Sequence, residues 1–105
     1  MIPQAFRSFV HDLLNATNKG DLQWTEGNVD AYFCSRRDAT VHVSSHMDHD
    51  ADKTYIRLLF SAAGRVTPFA VTRGETDFPV MEGLYTSVVA SANHVDEDLK
   101  QFFKS

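Results

Sequence analysis

Phe6, Phe9, Val10, Leu13 and Leu14 recur at i, i+3, i+4, i+7 and i+8, which places them on one stripe of an amphipathic helix. Pro3 suits the first turn of that helix and Lys19-Gly20 its end, so the pattern predicts a helix over about 4–18. Leu22 and Trp24 follow in a short segment that either pairs as a strand or plugs the core. The period then changes from 3.6 to 2. Ala39, Val41 and Val43 alternate with Thr40, His42 and Ser44, and Ile56, Leu58 and Phe60 alternate with Tyr55, Arg57 and Leu59, as in half-buried strands.

Tyr32-Phe33-Cys34 is a further run of strand formers, separated from Ala39–Val43 by the turn Ser35-Arg36-Arg37-Asp38. Residues 47–53 read as a polar loop before a strand over 54–61, and Ala62-Ala63-Gly64-Arg65 reads as a hairpin turn into a strand over 66–72. Pro68 has no N–H to give to a ladder, so this strand is expected at a sheet edge or bulged. Asp77 can cap a helix that opens on Phe78-Pro79 and carries Val80, Met81, Leu84, Tyr85, Val88 and Val89 on an apolar stripe. Asn93-His94 interrupts it. Asp96 can cap a last short helix in which Leu99, Phe102 and Phe103 turn inward.

Connections this short join antiparallel neighbours. The expected architecture is therefore one α+β domain over residues 1–105: an N-terminal helix, a three- to four-stranded antiparallel meander sheet, and two C-terminal helices packed on one sheet face. The other face would then carry His42, Tyr55, Arg57 and Leu59 beside Ser44, more apolar than a fully wetted face requires. These residues form a candidate interaction face, to be covered by a protein partner or by a second copy in a homodimer.

Length and composition narrow the function. The 105 residues, 43% hydrophobic, suffice for one core, and no apolar run approaches the roughly 18 residues of a membrane span. The first residues lack the basic and apolar regions of a signal peptide, and the single Cys34 cannot form an internal disulfide, so a cytoplasmic protein with no membrane contact is expected. The net charge of −4 argues against a nucleic-acid partner, since neutralising phosphates supplies most of that affinity. The charge is unevenly spread: residues 31–74 carry six basic and four acidic side chains, and residues 75–105 carry two and six.

One segment gathers residues able to do chemistry, His42 to Asp52. Its Ser44-Ser45-His46-Met47-Asp48-His49 resembles the H-x-H-x-D-H motif of the metallo-β-lactamase superfamily, but Ser44 stands where the first histidine belongs, and that fold needs a much longer chain. His46, Asp48 and His49 remain candidate metal ligands if the chain turns near Ser45; His42 and His46 in one continuous strand would lie roughly 13 Å apart, too far to share an ion. Asp48, Asp50 and Asp52 have calcium-loop spacing, but Lys53 and Leu59 replace the required glycine and glutamate. Cys34 lies in an apolar strand run and reads as a core residue, and the aromatic side chains read as core packing. Arg57, Arg65 and Arg73 could form a basic strip across the meander. No nucleophile elbow, phosphate loop or dinucleotide fingerprint occurs, so no cofactor is implied.

The runs Tyr55-Ile-Arg-Leu-Leu-Phe60, Gly64-Arg-Val66, Gly83-Leu-Tyr85 and Asp96-Glu-Asp-Leu99 to Phe103 resemble a layout found in small bacterial single-domain proteins of uncharacterised function. The resemblance covers about half the chain and implies a helix, meander, helix architecture and a bacterial source, with no catalytic residues to carry over. The reading that follows is a non-enzymatic accessory protein acting by protein–protein binding. The alternatives are a metal-binding or hydrolytic protein using the His42–Asp52 segment, and a small-ligand binder with its pocket between helices and sheet.

Overall fold

The alternating segments build a five-stranded antiparallel sheet in the simple order β1-β2-β3-β4-β5, with β1 at Thr25–Glu26, β2 at Ala31–Arg36, β3 at Ala39–Asp48, β4 at Lys53–Ala62 and β5 at Arg65–Thr72. The computed structural model describes residues 1–104. The strand count is five rather than three or four because Thr25 and Glu26 add a short edge strand on Phe33 and Tyr32. Trp24, just before it, plugs the core instead of pairing. Its Nε1–H donates to Thr17 Oγ1 at 3.1 Å, and that hydroxyl donates to the Leu13 carbonyl at 2.7 Å, so a buried indole ends with its polar atom satisfied.

Turn chemistry fixes the register. Ala63 and Gly64 both take positive φ, 53° and 75°, which a two-residue turn needs to match the twist of the strands it joins. Asp48 Oδ1 accepts the backbone N–H groups of Asp50 and Ala51, closing the β3–β4 turn. Pro68 lies in β5, and β5 is an edge, as its missing donor demands.

Helix α1, Arg7–Lys19, follows a 3-10 turn at Gln4–Phe6 and ends on Gly20 at φ 80°. Helix α2 spans Phe78–Ala92 and helix α3 spans Val95–Lys104, the two separated by His94 at φ 54°. Neither predicted acidic cap operates. Asp96 lies inside the first turn of α3. Asp77 makes no cap bond; its carboxylate instead accepts the Ile2 N–H at 2.9 Å and lies 3.5 Å from Arg7, tying the start of the chain to the start of α2. Glu75 adds to this tie through the Met1 ammonium and the Thr72 N–H, which hold its carboxyl below the usual range.

Helices α1 and α2 cover one face of the sheet. Val43, Leu58, Val71, Val10, Met81, Leu84 and Val88 are essentially sealed between them, and Phe6 and Phe9 pack edge-on against Phe60. Helix α3 departs from expectation: Leu99, Phe102 and Phe103 are 57%, 74% and 85% exposed. Its main neighbour is α2, not the sheet, because the helical layer is already filled by α1 and α2. The radius of gyration, 14.5 Å, exceeds the roughly 13 Å of a compact domain of this length. Among the described residues, no helix is long and apolar enough to cross a membrane.

Candidate interaction face

The strand phase that buries Val41, Val43, Ile56 and Leu58 turns the alternate residues to the opposite face, which no helix covers among the described residues. The register then sets them in rows across the sheet. Phe33, His42, Leu59 and Pro68 are successive partners in one row, and Ala31, Ser44, Arg57 and Ala70 in the next. A third row runs His46, Tyr55, Thr72. The expected interaction residues His42, Tyr55, Arg57 and Leu59 are thus brought onto one surface.

Phe33 and Pro68 belong there too, which the sequence did not disclose. Tyr32, Phe33 and Cys34 are all apolar, so β2 has no visible phase until its pairing with β3 puts Tyr32 and Cys34 inward and Phe33 out.

Two ring pairs line this surface. The His42 ring tilts against Phe33 with centroids 5.7 Å apart, and His46 stacks on Tyr55 at 5.1 Å and 19°. His42 Nδ1 is buried and without a hydrogen-bond partner among the described residues. Leaving such a group unsatisfied costs on the order of 1–3 kcal/mol.

The His-Asp segment takes a different form from the one a metal requires. Strand β3 runs straight through Ser45 to Asp48, and the turn comes only at residues 49–52. His46 and Asp48 therefore point to the outer face while His49 sits in the turn. His46 Nε2 lies 2.7 Å from Ser44 Oγ, and Asp48 is engaged by the turn amides. Among the described residues no group of three or more His, Cys, Asp or Glu is disposed to hold a metal ion.

The Ser44–His46 contact has the distance of a nucleophile–base pair. No carboxylate bonds the other ring nitrogen among the described residues, and both residues lie mid-ladder, where strand amides are spent on pairing rather than forming an oxyanion hole. The arrangement is a polar cross-face contact.

The chain matches no protein-family model, no curated protein and no solved structure.

Two clefts flank the helices. An open groove of about 690 Å³ lies between the end of α1, the 21–24 loop and the α2–α3 junction, with Lys19, Asp21, Gln23, Asp96 and Glu97 on its walls. A smaller cleft of about 410 Å³ opens between α1 and the sheet, lined by Phe9, Leu13, Leu22, Val41 and Phe60, with Cys34 also on its wall. Arg36, Arg37 and Asp12 line it as well, so its charge is mixed. Burial raises the Cys34 thiol above its ordinary pKa, against smaller opposing effects of the Gln23 amide and Arg36, which suits a packing residue and not a nucleophile.

The three arginines expected to form a strip are dispersed. Arg57 stands on the outer face and Arg65 at a hairpin turn. Arg73 lies over the Phe78 ring at 5.7 Å and pairs with Glu82 at 3.7 Å on the helical side.

Proposed function

We propose that this protein is a non-enzymatic interaction module that binds another protein chain through the outer face of its sheet. One observation carries the reading: the row Phe33, His42, Leu59, Pro68 crosses four adjacent strands with none of the described elements over it, while the opposite face is closed by two helices. A contiguous apolar row of this kind marks interaction sites more often than the scattered hydrophobes of an ordinary surface. The ring pairs Phe33–His42 and His46–Tyr55 are flanked by Ser44, Arg57 and Thr72, which adds polar groups to an apolar row.

Site-specific photocrosslinking tests it. A photoreactive phenylalanine analogue replacing Leu59 should form covalent adducts with a protein chain under native conditions, and the same analogue replacing Thr86, exposed on α2, should not. Equal adduct formation at both positions, or none at position 59, would remove the proposal.

A second reading rests on the 410 Å³ cleft, which is within the size range of small-ligand sites and largely apolar. Thermal-shift measurements with a series of medium-chain carboxylates, which suit an apolar cleft near two arginines, would detect such binding; a flat response across the series excludes that ligand class.

A further inference from the structure

We infer that the cleft between α1 and the sheet takes a small zwitterion with an apolar side chain, of the class of free phenylalanine or leucine, its carboxylate toward Arg36 and Arg37 and its ammonium toward Asp12. The inference deepens the cleft reading above and rests on it. It is independent of the outer face.

The cleft follows from how the inner face ends. Cys34, Val41 and Phe60 form one inward row across β2, β3 and β4, and the next row toward the hairpin turns is Arg36, Ala39, Ala62 and Arg65. Two alanines thus stand in the middle of the last row, where larger side chains would fill the layer. The helix above leaves room as well. Helix α2 lies close on β2 to β5, whereas the backbone of α1 has α2 as its nearest neighbour and stands further from the strands, and α1 brings Ala16 to the gap. The space left is about 410 Å³, toward the lower end of the roughly 300–1,000 Å³ of small-ligand sites. Leu13, Cys34 and Val41 are the buried part of its wall, and Phe9, Leu22 and Phe60 are half-buried around them. Such a lining suits a branched or aromatic hydrocarbon group.

Charge selects the rest of the ligand. Asp12 comes from α1 beside Leu13, Arg36 from the inward phase at the end of β2, and Arg37 from the turn that follows. These three are the charged residues on the wall, and none of them is in an ion pair among the described residues. Burial raises the Cys34 thiol, and the Arg36 guanidinium is near enough to oppose part of that rise, so its charge reaches the apolar part of the cleft. Two unpaired guanidinium groups suit a carboxylate, which arginine can hold through parallel N–H donors. A simple carboxylate would bring a like charge toward Asp12; an α-ammonium turns the same residue into a partner. An apolar α-amino acid therefore answers the hydrocarbon lining and the charges of both signs together. All three charged side chains belong to exposed residues, so each contact is screened by water and the affinity expected is millimolar.

Titrations of the full chain followed by amide proton–nitrogen NMR spectra test this with three compounds that share one phenyl group: L-phenylalanine, hydrocinnamate, which lacks the ammonium, and phenethylamine, which lacks the carboxylate. L-phenylalanine should shift the amides of Leu13, Cys34 and Val41. Hydrocinnamate should bind roughly fivefold more weakly, the worth of one screened ion pair. Phenethylamine, which forfeits both arginines, should bind roughly tenfold more weakly or worse. Asp12→Asn should bring L-phenylalanine down to the level of hydrocinnamate without weakening hydrocinnamate, and Arg36→Gln/Arg37→Gln should weaken both acids; the same spectra show that each variant is folded. Equal affinity for the two acids in wild type, or an Asp12→Asn chain that keeps the full preference for L-phenylalanine, overturns the zwitterion and leaves the cleft reading standing. Equal affinity for all three compounds overturns it in favour of a packing gap that accepts any phenyl ring. No shifts with any of them, or shifts confined to residues away from the cleft, remove the inference and the cleft reading together.

Discussion

Leu58 and Leu59 are neighbours in one strand and face opposite worlds. Leu58 is sealed under α2 with Val43 and Phe69 as its cross-strand partners, and Leu59 lies half-buried on the uncovered face between His42 and Pro68. Both faces of the sheet carry apolar rows, yet the described helices cover only one. On the inner face polar atoms are paired, as in the Trp24–Thr17–Leu13 relay, whereas the outer face keeps the orphaned His42 Nδ1. A face that only had to fold would be finished in this way on the inside and left polar on the outside. The uncovered apolar row outside is the feature on which the proposed docking of another chain rests.

The sharpest break of this comparison is the pair Leu58→Ala and Leu59→Ala. Truncating Leu58 opens a cavity in the sealed layer and should cost about 2–5 kcal/mol in urea unfolding. Truncating Leu59 should cost the isolated chain less than about 1 kcal/mol, because little packing is lost on the open side. Equal costs would mean that the outer face is a second core and not a docking surface.

Thr17→Val is next in size. Valine keeps the shape but removes the acceptor of the Trp24 Nε1–H, stranding a buried donor, so a loss of about 1–3 kcal/mol is expected. A loss below a few tenths would show that the indole finds another acceptor and that the inner face is less fully satisfied than its geometry indicates.

His42→Leu should move the other way. It replaces a ring that has an orphaned nitrogen by a side chain that needs no partner, so the isolated chain should gain up to about 1 kcal/mol. Destabilisation instead would show that the imidazole is satisfied in solution, and would take away the contrast in polar pairing between the faces.

The regular parts of this fold were legible because each rests on a local rule. The Phe6–Leu14 stripe, the alternation in residues 39–43 and 54–61, the Ala63-Gly64 turn and the edge strand at Pro68 each follow from periodicity or a missing donor. The candidate face was half legible: two strands showed their phase, giving His42, Tyr55, Arg57 and Leu59, but Phe33 lies in an unbroken apolar run whose phase only pairing decides. The His42–Asp52 segment that sequence spacing offered to a metal is strand as far as Asp48, since the alternation simply continues through Ser45, and it turns only at residues 49–52. Helix α3 misled for a deeper reason. Its stripe has helical periodicity, but periodicity carries no information on whether the chain has room to cover it, and Leu99 and Phe103 stay exposed.

The smallest effect compares thiols on the two faces. Cys34 points inward, 7% exposed, and burial raises its pKa, so little thiolate is present near neutrality and alkylation by iodoacetamide should be slow in the native state. A cysteine placed on the open side by Ser44→Cys should react at least tenfold faster. The raised pKa also has a linkage consequence with a definite sign: the folded state holds the Cys34 proton more tightly than the unfolded chain does. The contribution is therefore complete below the unfolded thiol's pKa and is lost as pH rises through the folded one. Wild type should weaken slightly relative to Cys34→Ala as pH is raised through the alkaline range, with no difference in pH slope between them at neutral pH. A pH slope that is identical for the two chains throughout would show that the thiol is solvated and that the inner face, at the cleft beside α1, is more open than its packing implies.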